Sequence, residues 1–253
     1  MKRSTLETIV KKYYLSGLNE VSKWKIDNST KTLKIGASTP NAVLAILTEV
    51  SEFTELPTGE FGVNDTTKLL KMLNVLDDDI TLTSIEETSK ITGIQFNSNK
   101  TEVHFVTADL KIINDNKMIK MYSGAYPEFD IEIIVDKDFI DTYSAARSAL
   151  SDSEYVVFQN NSKGKFEMVF GQINGGNKIL NTSKIKYNPQ TTEGKCTLPH
   201  SVAYNADYLK EIFNANKNSE NTIFKISSNT LGYMKFKNED VQVTYHIKGV
   251  VGK

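Results

Sequence analysis

The residues that could do catalytic or metal chemistry are few and scattered. His104, His200 and His246 stand far apart in the chain, and His104 and His246 fall in strand-like alternation that suits structural histidines. Asp77, Asp78 and Asp79 are consecutive carboxylates that could hold a cation, but they follow a helical pattern and precede a strand, where acidic turn residues are commonplace. Cys196 has no histidine or other base near it in sequence, so nothing marks it as an activated thiolate. Lys163, Gly164 and Lys165 read as a hairpin turn. The sequence contains no phosphate-binding loop, dinucleotide fingerprint, HExxH helix or paired-cysteine metal site. These residues predict a binding protein with no cofactor and no metal, not an enzyme.

The elements that would position a binding surface occur twice. Residues 61–84 read FGVNDTTKLLKMLNVLDDDITLTS and residues 203–227 read AYNADYLKEIFNANKNSENTIFKIS. Each runs from a short strand through an Asn/Asp helix start, about three helical turns and a polar turn into a second strand. Leu69, Met72 and Leu73 match Leu209, Ile212 and Phe213 at a constant offset of 140. A repeat of that length predicts two similar domains of ordinary size.

Helical spacing of apolar residues predicts helices over 4–15 (Leu6, Ile9, Val10, Tyr13), 65–76 (Leu69, Leu70, Met72, Leu73), 137–150 (Phe139, Ile140, Tyr143, Ala146, Leu150) and 205–215 (Tyr208, Leu209, Ile212, Phe213). Asn64 or Asp65, Asp136 or Asp138, and Asn205 are candidate N-caps. Nearly everything else alternates as strand: 21–27, 31–38, 43–50, 80–87, 91–98 and 101–108 in the first half, then 129–136, 154–160, 165–172, 178–187, 222–228, 232–238 and 241–247. The fold class expected is α+β, two similar domains, each with two helices on antiparallel sheet. The boundaries expected are 1–110, a connector over 111–128 where the strand rhythm breaks, and 129–253.

Composition narrows the partners. The 253 residues are 39% hydrophobic and 24% charged, with 30 basic and 31 acidic side chains and a net charge of −1. A global basic bias for nucleic acid is absent, so any such contact depends on how charge is distributed. One cysteine excludes an intrachain disulfide and fits a reducing compartment. No apolar run approaches a membrane span, and the N-terminus reads as carrying no signal peptide.

Four stretches together resemble the sliding clamps of DNA replication, of the proliferating-cell nuclear antigen and T-even bacteriophage type. They are SGLNEVSKWKID (16–27), STPNAVLAILTEV (38–50), GEFGVNDTTKLLKMLNVLDDDITLTSIEE (59–87), and PHSVAYNADYLKEIF with TIFKISSNTLGYMKFKNEDVQVTYHI towards the C-terminus. The likeness rests on order, spacing and hydrophobic pattern over the whole chain, since clamps carry no catalytic signature. Two departures, little chain ahead of the first helix and an early stop at VVGK, point to a viral rather than a cellular clamp, acting in the cytoplasm of a bacterial host.

The resemblance implies a closed ring of six domains, hence a homotrimer, with helices lining a hole for double-stranded DNA. It further implies DNA polymerase as partner, an ATP-dependent clamp loader, and no membrane. On the helix faces opposite the core it assigns Lys11 and Lys12, Lys68 and Lys71, Lys137 and Arg147, and Lys210 and Lys217 to DNA phosphates. The fit is better in the first half than in the second. A solvated charged face is the ordinary reading of such lysines. The resemblance also implies a peptide-binding pocket at Val43, Leu44, Ile112, Ile113, Met118, Ile119, Tyr126, Pro127, Leu231, Gly232, Tyr245 and Ile247, residues that could equally pack a domain junction. Two other readings stay open: a β-rich virion or scaffold protein that assembles through sheet edges, and a small hydrolase with an inconspicuous site.

Overall fold

Among the described residues, apolar residues three and four apart, each run preceded by a short acidic or amide side chain in three cases of four, fold into four α-helices. In this computed structural model, which describes residues 1–111, 113, 126–171 and 184–251 (193–196 by backbone alone), they are α1 (Arg3–Tyr14), α2 (Thr66–Leu73), α3 (Lys137–Ala149) and α4 (Ala206–Asn216). Asp65, Asp136 and Asn205 are the caps of the last three, each accepting a backbone N–H of the first turn. The strands are β1 (Ser22–Asp27), β2 (Thr32–Ser38), β3 (Leu44–Val50), β4 (Gly59–Val63), β5 (Thr81–Glu87), β6 (Lys90–Asn97), β7 (Glu102–Val106), β8 (Ile131–Val135), β9 (Tyr155–Asn160), β10 (Phe166–Phe170), β11 (Ile185–Tyr187), β12 (Thr191–Cys196), β13 (Val202–Asn205), β14 (Thr222–Ile226), β15 (Leu231–Asn238), β16 (Val241–Lys248) and β17 (Val250–Val251). Among the described residues no helix is long and apolar enough to cross a membrane.

The chain divides into two compact units, Met1–Gly124 with Lys237–Val243, and Ala125–Phe236 with Thr244–Lys253. The first unit takes in the β15–β16 turn: Ser51 N–H donates to the Asp240 carbonyl at 2.9 Å and Gln242 Nε2 to Glu49 Oε2 at 3.0 Å.

The internal repeat of the sequence is a repeat of topology. In the first unit the order β4-β1-β2-β3 is antiparallel, and in the second β13-β9-β10-β11 follows the same winding. The hairpins β5-β6-β7 correspond to β14-β15-β16. In the second unit β8 pairs with β14, and at the same place in the first unit Lys2 makes one antiparallel bridge with Asp79.

Register places the cores. Trp24 lies opposite both Ile35 and Phe61, and Ile26 opposite Leu33, so one sheet face is apolar; Leu6, Ile9, Val10 and Tyr13 of α1 are buried. Tyr13 meets Trp24 edge-on at 6.4 Å, and Trp24 meets Phe61 at 5.4 Å. The second unit has a larger aromatic core, with Tyr143 of α3 5.1 Å from Phe170 and 4.9 Å from Phe213 of α4. Each such buried ring contributes about 1.5–3 kcal/mol. The opposite face of the β4-β1-β2-β3 sheet is a ladder of charges: Lys25 pairs with Glu60 at 3.3 Å and Lys34 with Glu49 at 3.0 Å.

Candidate nucleic-acid and peptide interfaces

Each unit binds its two helices to one another with polar contacts. In the first, Tyr14 Oη lies 2.8 Å from Thr67 Oγ1, and the Glu20 carboxylate accepts the Thr67 hydroxyl at 2.6 Å and the Thr67 N–H at 2.9 Å. In the second, Arg147 Nη2 and Nε reach Asp207 Oδ1 at 2.9 and 3.0 Å, Arg147 Nη1 donates to the Leu150 carbonyl, and the Tyr143 hydroxyl donates to the Ala206 carbonyl. The helices are thereby held as pairs, and their remaining faces are what a ligand would meet.

Those faces carry most of the expected cations. Lys11, Lys68, Lys71, Lys137 and Lys217 are exposed, and Lys210 is partly so. Lys11 pairs with Glu7 at 3.2 Å, and Glu7 also holds Arg3 at 3.5 Å. Two expectations are corrected. Lys12 is not on a solvated flank: it is only 4% exposed, and burial pushes its ammonium down to about 8, because loss of water disfavours the charged form. Arg147 is buried as well, and Asp207 with the Leu150 carbonyl engages its guanidinium. Neither is presented to a phosphate.

The residues expected to form a peptide pocket separate by burial. Leu44 and Ile113 lie in the core of the first unit, and Val43 is half-buried beside Leu44 in sequence. The Ile113 side chain covers Gly62, where a Cβ would collide with it. Tyr245 and Ile247 are core residues of the second unit; the Tyr245 hydroxyl accepts from Asn216 Nδ2 at 2.9 Å. A Cβ on Gly232 would sit 2.7 Å from Ile247 Cγ2 and 2.8 Å from the Phe224 ring, so that pair is brought into contact by the absence of a side chain. The expectation that Leu44, Ile113, Tyr245 and Ile247 present open pocket walls is therefore corrected: all four side chains are buried in the folded chain. Leu231 and Pro127 are half-buried. Ile112, Met118 and Ile119 lie outside the described residues.

Among the described members Tyr126 is the exposed one, at 47%. Its ring stacks on His246 at 5.6 Å with planes 5° apart, its hydroxyl lies 3.1 Å from His246 Nε2, and Tyr233 and Phe129 complete the cluster at 5.2 and 6.3 Å. Burial lowers the His246 imidazole to about 4, so it is neutral at pH 7. The patch thus presents the Tyr126 ring over half-buried Phe129 and Tyr233, an aromatic surface that suits apolar and aromatic ligand side chains. Sequence reading reached Tyr126 alone. Phe129, Tyr233 and His246 are scattered over three strand-like stretches, and only their pairing brings them together.

Among the described residues no group of histidine, cysteine and carboxylate side chains could hold a metal ion. Compared with solved structures, the chain aligns over 100% of its length with 98% of proliferating-cell nuclear antigen (PCNA) from A. fulgidus, solved with the C-terminal region of FEN-1 bound (TM-score 0.72, 15% identity). It aligns over 99% with 96% of Entamoeba histolytica PCNA (0.68, 14%), and over 99% with 98% of Thermococcus kodakaraensis PCNA (0.66, 14%). This is the DNA-clamp fold. No family model matches the sequence, and no curated protein does. At 14–15% identity the likeness is one of fold.

Proposed function

We propose that this clamp-fold protein is a sliding clamp, which encircles duplex DNA as a homotrimer and tethers a DNA polymerase, raising processivity with no catalysis of its own. The observation that carries the reading is a clamp fold running end to end through the chain. The exposed lysines of the helices support it: contact with phosphates independent of sequence needs charge and reach, not base readout. Topology does the holding, so weak contacts suffice and the ring remains free to slide. The aromatic patch around Tyr126 is the part of the second unit suited to anchor a short partner peptide. A viral source, a bacterial host cytoplasm and an ATP-dependent loader belong to the same proposal, on the resemblance alone.

The test is topological. Purified protein is incubated with linear duplex, the ends are then blocked with biotin and streptavidin, and the salt is raised. A clamp stays on blocked DNA and runs off open DNA. Equal loss from both substrates, or equal retention on both, overturns the proposal.

A further inference from the structure

We infer that the two units divide the work on DNA: phosphate contacts come from the α1–α2 pair of the first unit, and the α3–α4 pair of the second is electrostatically silent. The inference rests on the clamp reading and adds which surface of the chain touches the duplex.

Charge on the helices is unequal. The ionisable groups of α1 and α2, aside from the tyrosines, are Arg3, Lys11, Lys12, Lys68 and Lys71 against the single acid Glu7. Those of α3 and α4 are Lys137, Arg147 and Lys210 against Asp138, Asp141, Asp207 and Glu211, and the caps add exposed Lys217 at the end of α4 and Asp136 at the start of α3, which leaves the acids in excess. Packing sharpens the difference. Arg147 is buried and bound to Asp207, which removes one cation and one anion together. Lys137 then has Asp138 beside it and Asp141 one turn on, where i,i+4 side chains are about 6 Å apart. Lys210 has Glu211 beside it. The Lys137–Asp141 spacing is shorter than the screening length of about 8 Å at physiological salt, so that carboxylate weakens the field of Lys137 towards a phosphate, and the acidic excess on α3 and α4 lowers the potential of the whole face.

In the first unit the balance is opposite. Lys68 and Lys71 are exposed on α2, one turn apart; like Lys137 and Lys210 they form no ion pair among the described residues, but α2 has no acidic residue of its own to offset them. The nearest carboxylate in sequence, Asp65, faces the helix start and accepts the Lys68 N–H at 2.7 Å. Lys11 shares Glu7 with Arg3 and keeps much of its charge outward. Lys12, buried, adds nothing at the surface. In a ring of three chains this makes three contact sectors in place of six.

Two matched variants test the division: Lys68→Ala with Lys71→Ala, and Lys137→Ala with Lys210→Ala. Both remove two cations per chain, so net charge is equal and long-range steering is controlled. Affinity for a fluorescein-labelled duplex of mixed sequence is read by anisotropy from 50 to 200 mM salt, with circular dichroism to verify folding. The α2 pair is expected to weaken binding at least tenfold at low salt. It should also flatten the salt dependence by roughly one unit of slope for each phosphate no longer neutralised. The second-unit pair should stay within twofold of the parent. Equal losses, a greater loss from the second pair, or no loss from either overturns the division. The blocked-end retention of the parent protein reports separately on the clamp reading itself.

Discussion

Lys12 and Arg147 are cations that helical spacing places at the edge of solvent and packing then withdraws. Lys12 follows Lys11 in sequence, yet 100° of helix rotation turns it under neighbouring chain. Its folded pKa, about 8, lies below the ordinary 10.5. Between those values the unfolded chain binds a proton that the folded chain does not, so stability should rise with pH across the window, by up to about 1.4 kcal/mol per pH unit. Below pH 8 the buried charge exerts its full penalty. Urea unfolding of the parent and Lys12→Met from pH 7.5 to 10.5 is expected to show this rise in the parent only. The same rise in Lys12→Met would mean that the ammonium is hydrated in the fold.

Helices and strands differ in how much of them is local. The starts of α2, α3 and α4 are written in Asp65, Asp136 and Asn205, whose short side chains reach the free N–H groups of the first turn. Asn205 serves two of them, Asp207 N–H at 3.0 Å and Tyr208 N–H at 3.1 Å. Asn205→Ala should cost about 1 kcal/mol of unfolding free energy, measured by urea denaturation, while Asn205→Asp should recover most of it. No change in Asn205→Ala would show that the orphan donors find other partners. Two strands escaped the sequence pattern, β12 (TTEGKC) and β17 (VV). The first lacks apolar alternation, contains a glycine and pairs with β8 in an irregular register; the second is two residues long. Such strands exist because a neighbour offers an edge, which a window of sequence does not contain.

At the scale of the whole molecule, unfinished edges argue for assembly. Among the described residues β7 ends its three-stranded sheet, and Val106 on it is 66% exposed. An edge strand with an exposed valine invites pairing with another chain, and the proposed ring would cover it. Light scattering at micromolar concentration should therefore give close to three times 28.4 kDa. A strict monomer through that range would remove the homotrimer and with it the encircling mechanism.

The element types, their order and the duplication were legible in the chain because they depend on short-range periodicity: 3.6 residues for helices, two for strands, and caps within three residues. The exposed lysines Lys11, Lys68 and Lys71 were legible for the same reason, being opposite the apolar stripe. The tertiary structure decided what distance in sequence conceals. Arg147 finds Asp207 60 residues away and Tyr126 finds His246 120 residues away. Gly232 matters only because Ile247, Phe224 and Tyr204 converge on it. Leu44, Ile113, Tyr245 and Ile247 became core rather than open pocket wall by the same convergence. Side-chain type sets what a residue can do, but burial and pairing are properties of the packed chain, and they chose which of the candidates remain free to act.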